Sequence, residues 1–185
     1  MKYFHALLIV GLSFVTAPIG SAAEKMTLDA DDSKITFVGS KPDGKHEGGF
    51  KKVKGEATAD FEDPSASSLA IEIDAQSLWS DNDKLTNHLK SPDFFDVRKH
   101  STIKFESTKV EVTPGENVSK AKITGKWTML GKTVEVEVPA TVKMTEAGLE
   151  MTADFEIDRT KWGMTYGKGK IDDKVKVQAK LVLKR

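Results

Sequence analysis

The sequence predicts an all-β domain: an eight-stranded antiparallel up-and-down barrel with a short helical insertion between strands three and four. Three observations carry that expectation. Apolar and polar residues alternate with a period of two through eight separate segments. Clusters of turn-forming residues divide those segments. No long helical pattern is available to cover the apolar side of a sheet, so the sheet has to close on itself.

In chain order, residues 1–23 stand apart from the domain expected over 24–185. Lys2 gives a positive start, Ala6 to Val15 is an apolar run, and Gly20-Ser21-Ala22-Ala23 offers small residues for cleavage. That is the pattern of a secretory signal peptide, with a core too short to span a bilayer comfortably. Cleavage is expected after Ala23, with Ala22 next; an uncleaved anchor is the alternative. The mature protein is expected to be periplasmic or secreted, without a transmembrane anchor. Cysteine is absent, so no disulfide or lipid-modified cysteine is available and the core alone must hold the fold.

The first strand is expected at Ile35 to Val38, and Gly39 to Gly49 reads as a mobile loop or broad turn. Val53, Gly55, Ala57, Ala59 and Phe61 then alternate with Lys54, Glu56, Thr58 and Asp60. Leu69, Ile71, Ile73 and Ala75 form the third strand. From Ser80 to Val97 the period turns helical: Leu78, Leu85 and Leu89 share a stripe, and Ser91-Pro92 predicts a second short turn of helix. Ile103 and Phe105 open the fourth strand. Ala121 to Met129, Val134 to Val142, Leu149 to Ile157 and Val175 to Leu183 supply the rest. Turns are marked by Asp63-Pro64-Ser65, Pro114-Gly115-Glu116-Asn117, Leu130-Gly131-Lys132 and Ala147-Gly148.

Charge excludes one class of partner. Lys and Arg number 28 against 28 Asp and Glu, and the tail lysines from Lys174 alternate with apolar residues. This is a solvated strand face, not a nucleic-acid patch. Catalytic constellations are equally thin. His46, His88 and His100 have no ligand spacing, and His46-Glu47-Gly48-Gly49 lacks the second histidine of a zinc helix. Ser101 to Lys104 and Ser80-Asp81-Asn82 match fragments of a serine-enzyme signature in the wrong order. Gly167-Lys168-Gly169 lacks the third glycine of a dinucleotide loop. The sequence therefore predicts no enzyme, no metal and no cofactor. The inward phase mixes large residues (Phe37, Phe61, Phe105, Trp127, Phe155) with small ones (Gly55, Ala57, Ala59, Gly125, Ala140, Ala153, Ala179). Two readings stay open: a barrel with room for a ligand, or a tapered barrel in which small residues face large ones and fill it.

Three blocks carry a resemblance to a known family. They are Asp31 to Phe37 with Gly49-Phe50 and Gly55; His88-Leu89-Lys90-Ser91-Pro92-Asp93-Phe94-Phe95-Asp96-Val97 followed by Thr102 to Thr108; and Ile157 to Met164 with Arg159, Trp162 and Gly163. Together, over Met26 to Leu183, they resemble the YceI-like family of exported, lipocalin-like proteins. Lys34, Leu130 and Leu85-Thr86 depart from its usual histidine, histidine-glycine and arginine-aspartate positions. The resemblance implies a non-catalytic barrel holding a polyisoprenoid, quinone-like or other long-chain apolar lipid for carriage or storage. The expected pocket wall is Phe37, Ala57, Phe61, Ile73 and Phe94, with Phe95, Phe105, Trp127, Phe155 and Trp162. Head-group contacts are expected from His88 and Arg159. Asp93 and Asp96 are expected to cap the short helix and face water. A homodimer is left open. The competing reading is a closed-barrel interaction or inhibitor module of the cell envelope, recognising a protein through Gly39–Gly49.

Overall fold

A computed structural model describes residues 23–185; the expected signal peptide, save Ala23, lies outside the described residues. One antiparallel sheet contains β1 (Glu24–Leu28), β2 (Lys34–Lys41), β3 (Gly44–Phe50), β4 (Val53–Ala59), β5 (Ser68–Asp74) and β6 (Leu78–Ser80). It continues with β7 (Thr102–Thr113), β8 (Ser119–Met129), β9 (Lys132–Thr145), β10 (Gly148–Asp158) and β11 (Lys174–Lys184).

Six of these segments are halves of three bent strands. β1 and β2 both pair with β11, through Leu28↔Leu183 and Phe37↔Val177, while Asp29 to Ser33 loops out between them. β4 lies on β1 and β3 on β2; β5 lies on β4 and β6 on β3. With each bent pair counted as one strand, the sheet is the expected closed eight-stranded barrel. Side-chain hydroxyls fix the bends. Ser77 Oγ accepts the N–H groups of Lys51 and Lys52 at 3.2 and 3.0 Å, tying the β3–β4 bend to the β5–β6 bend. Ser33 Oγ accepts the Val182 N–H at 3.0 Å.

Gly39 to Gly49 is not a loop. It belongs to the β2–β3 hairpin, which turns between Lys41 and Gly44. The alternation is silent there because a side chain has no room: a Cβ on Gly48 would lie 2.5 Å from Phe37 Cζ. The Leu130–Gly131 hairpin puts both residues at positive φ, 54° and 72°. Glycine tolerates this; leucine does so at a cost that its packing against the core offsets.

The insertion lies between the third and fourth barrel strands, with two differences from expectation. Its helix, α1 (Asp83–Leu89), starts after Leu78, which is buried in β6. Asn82 caps it by accepting the Leu85 N–H at 3.1 Å. Ser91-Pro92 opens no second helix. The Phe94 and Asp96 N–H groups both bond the Ser91 carbonyl, and Asp96 adopts a φ of 40°, so the chain closes into consecutive turns.

The barrel has two unlike ends. Around Met26, Leu28, Ala57, Ala59 and Leu183 the ladders are continuous and the interior is packed. At the other end the ladders part twice. The β9–β10 ladder stops at Ala153↔Ala140, beside Pro139, which has no N–H to donate; beyond it β9 stays with β8 and β10 with β11. A short 3-10 turn, Arg159–Trp162, packs against β9 there. The β5–β7 ladder likewise ends at Asp74↔Thr102, leaving β6 to pack against α1.

Outside, the strands carry exposed ion pairs such as Lys54–Glu72–Lys104 and Lys176–Asp154. Hydrogen bonds from Lys184 to Asp29, from Lys54 to Glu72 and from Gln178 to Asp154 hold these carboxyls below the usual carboxylate range. A depressed folded-state value gives stability that is present above the unfolded value and lost as pH falls through the folded one. The melting temperature is therefore expected to hold between about pH 7 and 5 and to fall below about pH 4. Added salt should flatten that fall, because the groups face water. Melting curves across pH at two salt concentrations check this; a melting temperature that rises on acidification would contradict it.

Candidate ligand-binding cavity

The wide end holds a chamber of about 260 Å³. β2 and β3 bring Phe37 and Phe50 to one wall, where they meet Phe95 from the turns after α1. The three rings have centroids 5.7 to 6.0 Å apart. Leu85, Leu89 and Phe94 close that side, while Ile73, Ile103, Trp127 and Met129 come from the barrel strands. Met164, Ile171, Val175 and Val177 complete the wall. A smaller chamber of about 70 Å³ lies deeper, lined by Phe105, Ile123, Phe155 and other apolar residues. The two share Ile35, Ile73, Ile103, Trp127 and Val177.

Polar residues of the wide chamber include Ser40, Lys41, His46, Glu47 and Ser80. His46 Nδ1 lies 2.9 Å from Asp81 Oδ1, and the Glu47 N–H bonds the other oxygen, so the hairpin is tied to the segment before α1. That histidine contact is the main reason the Asp81 carboxyl is held below its ordinary range. A larger hollow, about 1070 Å³, lies elsewhere against the outer strand faces. Lys122, Glu111 and Glu137 in its wall pair with one another, so it suits water rather than an apolar chain.

Seven of the expected wall residues border a chamber: Phe37, Ile73, Phe94, Phe95, Phe105, Trp127 and Phe155. Three do not. Phe61, expected on the inward phase of its strand, is 40 % exposed, because β4 ends at Ala59 and the chain turns out before reaching it. Ala57 is buried at the packed end, opposite Met26 and Leu69. Trp162 is buried behind Trp127, its Nε1–H donating to the Trp127 carbonyl at 2.9 Å. The sequence reading passed over Phe50, Met129, Met164, Ile171 and Val177. Val177 carried a signal, the inward phase of β11; Met164 and Ile171 sit in an aperiodic loop and carried none.

Of the expected head-group contacts, Arg159 lies in the chamber wall but is fully engaged. Its guanidinium donates to the carbonyls of Asp172, Met164, Tyr166 and Ile171 and to Asp173 Oδ1, at 2.8 to 3.3 Å. Arginine has five N–H donors, and all are used. It organises the loop from Gly163 to Asp173. His88 borders neither chamber: its Nε2 lies 2.8 Å from Asp93 Oδ2 and its ring packs edge-on against Phe94 and Tyr166. Asp93 thus meets a histidine rather than capping a helix. Among the described residues no group of three His, Cys, Asp or Glu could hold a metal ion. No helix among them is long and apolar enough to cross a membrane.

Two buried side-chain polar atoms lack a hydrogen-bond partner among the described residues: Glu111 Oε2, which lies 3.3 Å from Lys122 Nζ as an ion pair, and Trp127 Nε1. A donor left so costs about 1–3 kcal/mol.

A closed antiparallel barrel of eight strands, hollow and apolar at one end, is a lipocalin-like barrel. Within that class a sequence model described as the YceI-like domain matches residues 26–183, and the chain belongs to that family. A UPF0312 protein of Pseudomonas putida (strain GB-1) is 35% identical over 146 residues, covering 76% of this chain and 73% of the relative. The crystal structure of Burkholderia cenocepacia BcnA superposes with a TM-score of 0.75 at 25% identity, over 83% of this chain and 98% of that one. A structure described as a polyisoprenoid binding domain from Saccharophagus degradans, implicated in plant cell wall breakdown, superposes with a TM-score of 0.71. At 16% identity, over 89% and 99% of the two chains, it shares the fold.

Proposed function

We propose that this protein is a non-catalytic carrier or store for a long apolar chain, of which polyisoprenoids are the leading class, held in the wide end of the barrel after export. The observation that carries this is the pair of aliphatic- and aromatic-lined chambers inside an otherwise packed barrel. The polyisoprenoid-binding relative in fold supports the same ligand class. Each methylene buried is worth about 0.8 kcal/mol before ordering costs, so about ten carbons contribute about 8 kcal/mol gross. At about 260 Å³ the wide chamber lies just below the usual range of ligand pockets, roughly 300–1,000 Å³, so a longer chain extends toward the mouth. A closed interaction module would be filled throughout, and the hollow end speaks against that reading. Native mass spectrometry of exported protein tests the proposal. Bound apolar mass on a chain beginning at Glu24 is expected; no extractable lipid and no uptake of a farnesyl or longer probe would defeat it.

Two tryptophan substitutions locate the site. Val177→Trp fills the boundary between the chambers and is expected to weaken probe binding at least about tenfold, equivalent to roughly 1.4 kcal/mol. Ala57→Trp overpacks the closed end, costing about 1–3 kcal/mol of stability while leaving uptake in place. Probe titration and denaturant unfolding of both variants check this, and equal loss of uptake would misplace the cavity.

A further inference from the structure

We infer that the wide end of the barrel docks on an anionic lipid bilayer, with the β2–β3 hairpin tip and the loop from Thr165 to Lys170 against the headgroups. For its use, exchange of an apolar chain with a membrane, this rests on the lipid-binding reading above. Two exposed segments meet at that end. The Asp172 N–H bonds the Ser40 carbonyl at 2.9 Å, which holds the loop beside the hairpin. Ser40, Lys41 and Ile171 also border the wide chamber, so the chamber reaches the surface between these segments. They read Lys41-Pro42-Asp43-Gly44-Lys45 and Thr165-Tyr166-Gly167-Lys168-Gly169-Lys170, four lysines against one aspartate. All four lysines are exposed. Lys41 pairs with Asp43 at 3.5 Å, while Lys45, Lys168 and Lys170 have no ion-pair partner among the described residues. Asp172 is exposed beside them and offsets one charge; Asp173 is taken by Arg159. On the outer strand faces, by contrast, lysines such as Lys54, Lys122 and Lys176 are matched by carboxylates.

The opposite end carries the opposite sign. Its connections, residues 60–67, 114–118 and 145–147, hold Asp60, Glu62, Asp63, Glu116 and Glu146 and no lysine or arginine. Basic and acidic residues number 28 each over the whole chain, so placement, not net charge, decides which end a charged surface attracts. Screening confines that attraction to groups within about 10 Å of the surface, so the near end alone is felt. Tyr166 adds an apolar contact. It is 45 % exposed, and its ring packs against His88 and Phe94 with centroids 4.8 and 5.2 Å away. A ring with a hydroxyl, one side packed and the other free, suits the level of the headgroups. Phe61, Val118 and Met144 are exposed as well, but they lie in or beside the acidic connections, where an anionic surface is repelled.

Vesicle flotation of the exported protein, with no probe added, tests this. Vesicles of equal parts phosphatidylglycerol and phosphatidylcholine are expected to hold it at least about tenfold more tightly than phosphatidylcholine alone. About 1 M salt, which screens charges beyond about 3 Å, should release it. Lys168→Glu combined with Lys170→Glu should weaken the binding at least about tenfold. Lys120→Glu combined with Lys143→Glu makes the same change of net charge near the closed end and should leave binding in place. All four of these lysines are exposed, and equal melting temperatures confirm that both variants fold. If anionic vesicles hold the protein no better than neutral ones, or the two double variants lose binding equally, the inference is overturned. Uptake of a farnesyl probe is measured on the same samples without vesicles. Uptake with no vesicle binding overturns the docking surface and leaves the lipid-binding reading standing. Charge-dependent vesicle binding with no uptake defeats that reading and leaves the surface.

Discussion

Replacing Arg159 by methionine is expected to cost about 3–5 kcal/mol of stability and to loosen Gly163 to Asp173 before the rest of the barrel. The side chain is 2 % exposed, and its five N–H groups satisfy four backbone carbonyls and the Asp173 carboxylate. Methionine fills comparable volume and leaves those carbonyls without their donor. Arg159→Lys should recover little, because an ammonium has three donors and no fork. Met164 and Ile171 belong both to this loop and to the chamber wall, so probe affinity should fall with loop order. Denaturant titration and amide exchange of both variants supply the readout. A loss below about 1 kcal/mol would mean that the loop holds itself without the guanidinium.

Trp162→Ala is expected to cost a similar amount, about 3–5 kcal/mol, for a different reason. Trp162 is 1 % exposed and packs against Trp127, at the end of a 3-10 turn that abuts β9 where the β9–β10 ladder has stopped. Alanine leaves a void beside the barrel wall, and Trp127 loses its backing. Trp162→Phe keeps most of the volume and removes only the bond to the Trp127 carbonyl, so about 1 kcal/mol is expected. Thermal unfolding of the two variants separates the contributions. Equal losses would place the whole effect in the hydrogen bond.

The barrel was legible because period-two alternation survives wherever one face is buried and the other wet, as in β4, β5 and β8 to β11. It failed at β3, where Gly48 and Gly49 lie beneath Phe37 and Trp79 and have no side chain with which to declare a face. Each of the two open readings describes part of the interior, which is filled in places and hollow in others. Gly125 lies under Phe105, so closely that a Cβ would come within 2.5 Å of the ring, and such pairings show small residues facing large ones. The inner chamber is walled by strands alone, whereas helix, turns and loop complete the wall of the wide one. Phe94 and Phe95 could be placed through a family resemblance. Met164 and Ile171 could not, since a loop folded around one arginine has no repeat to read. For Arg159 the sequence marked the position but not the role, because its partners are backbone carbonyls, which every residue possesses.

The parting of β9 from β10 at Pro139 gives the barrel an uneven resistance along its axis. Where ladders are continuous, separating two strands breaks a row of cooperative bonds and approaches global unfolding in free energy. Where they have already parted, the 3-10 turn, the arginine-bound loop and α1 can swing aside at a smaller cost. Amides of Asp154 to Asp158 should accordingly exchange with solvent faster than those of Gly148 to Ala153 on the same strand. The molecule's lifetime is then set at one end, and the turnover of whatever it holds at the other.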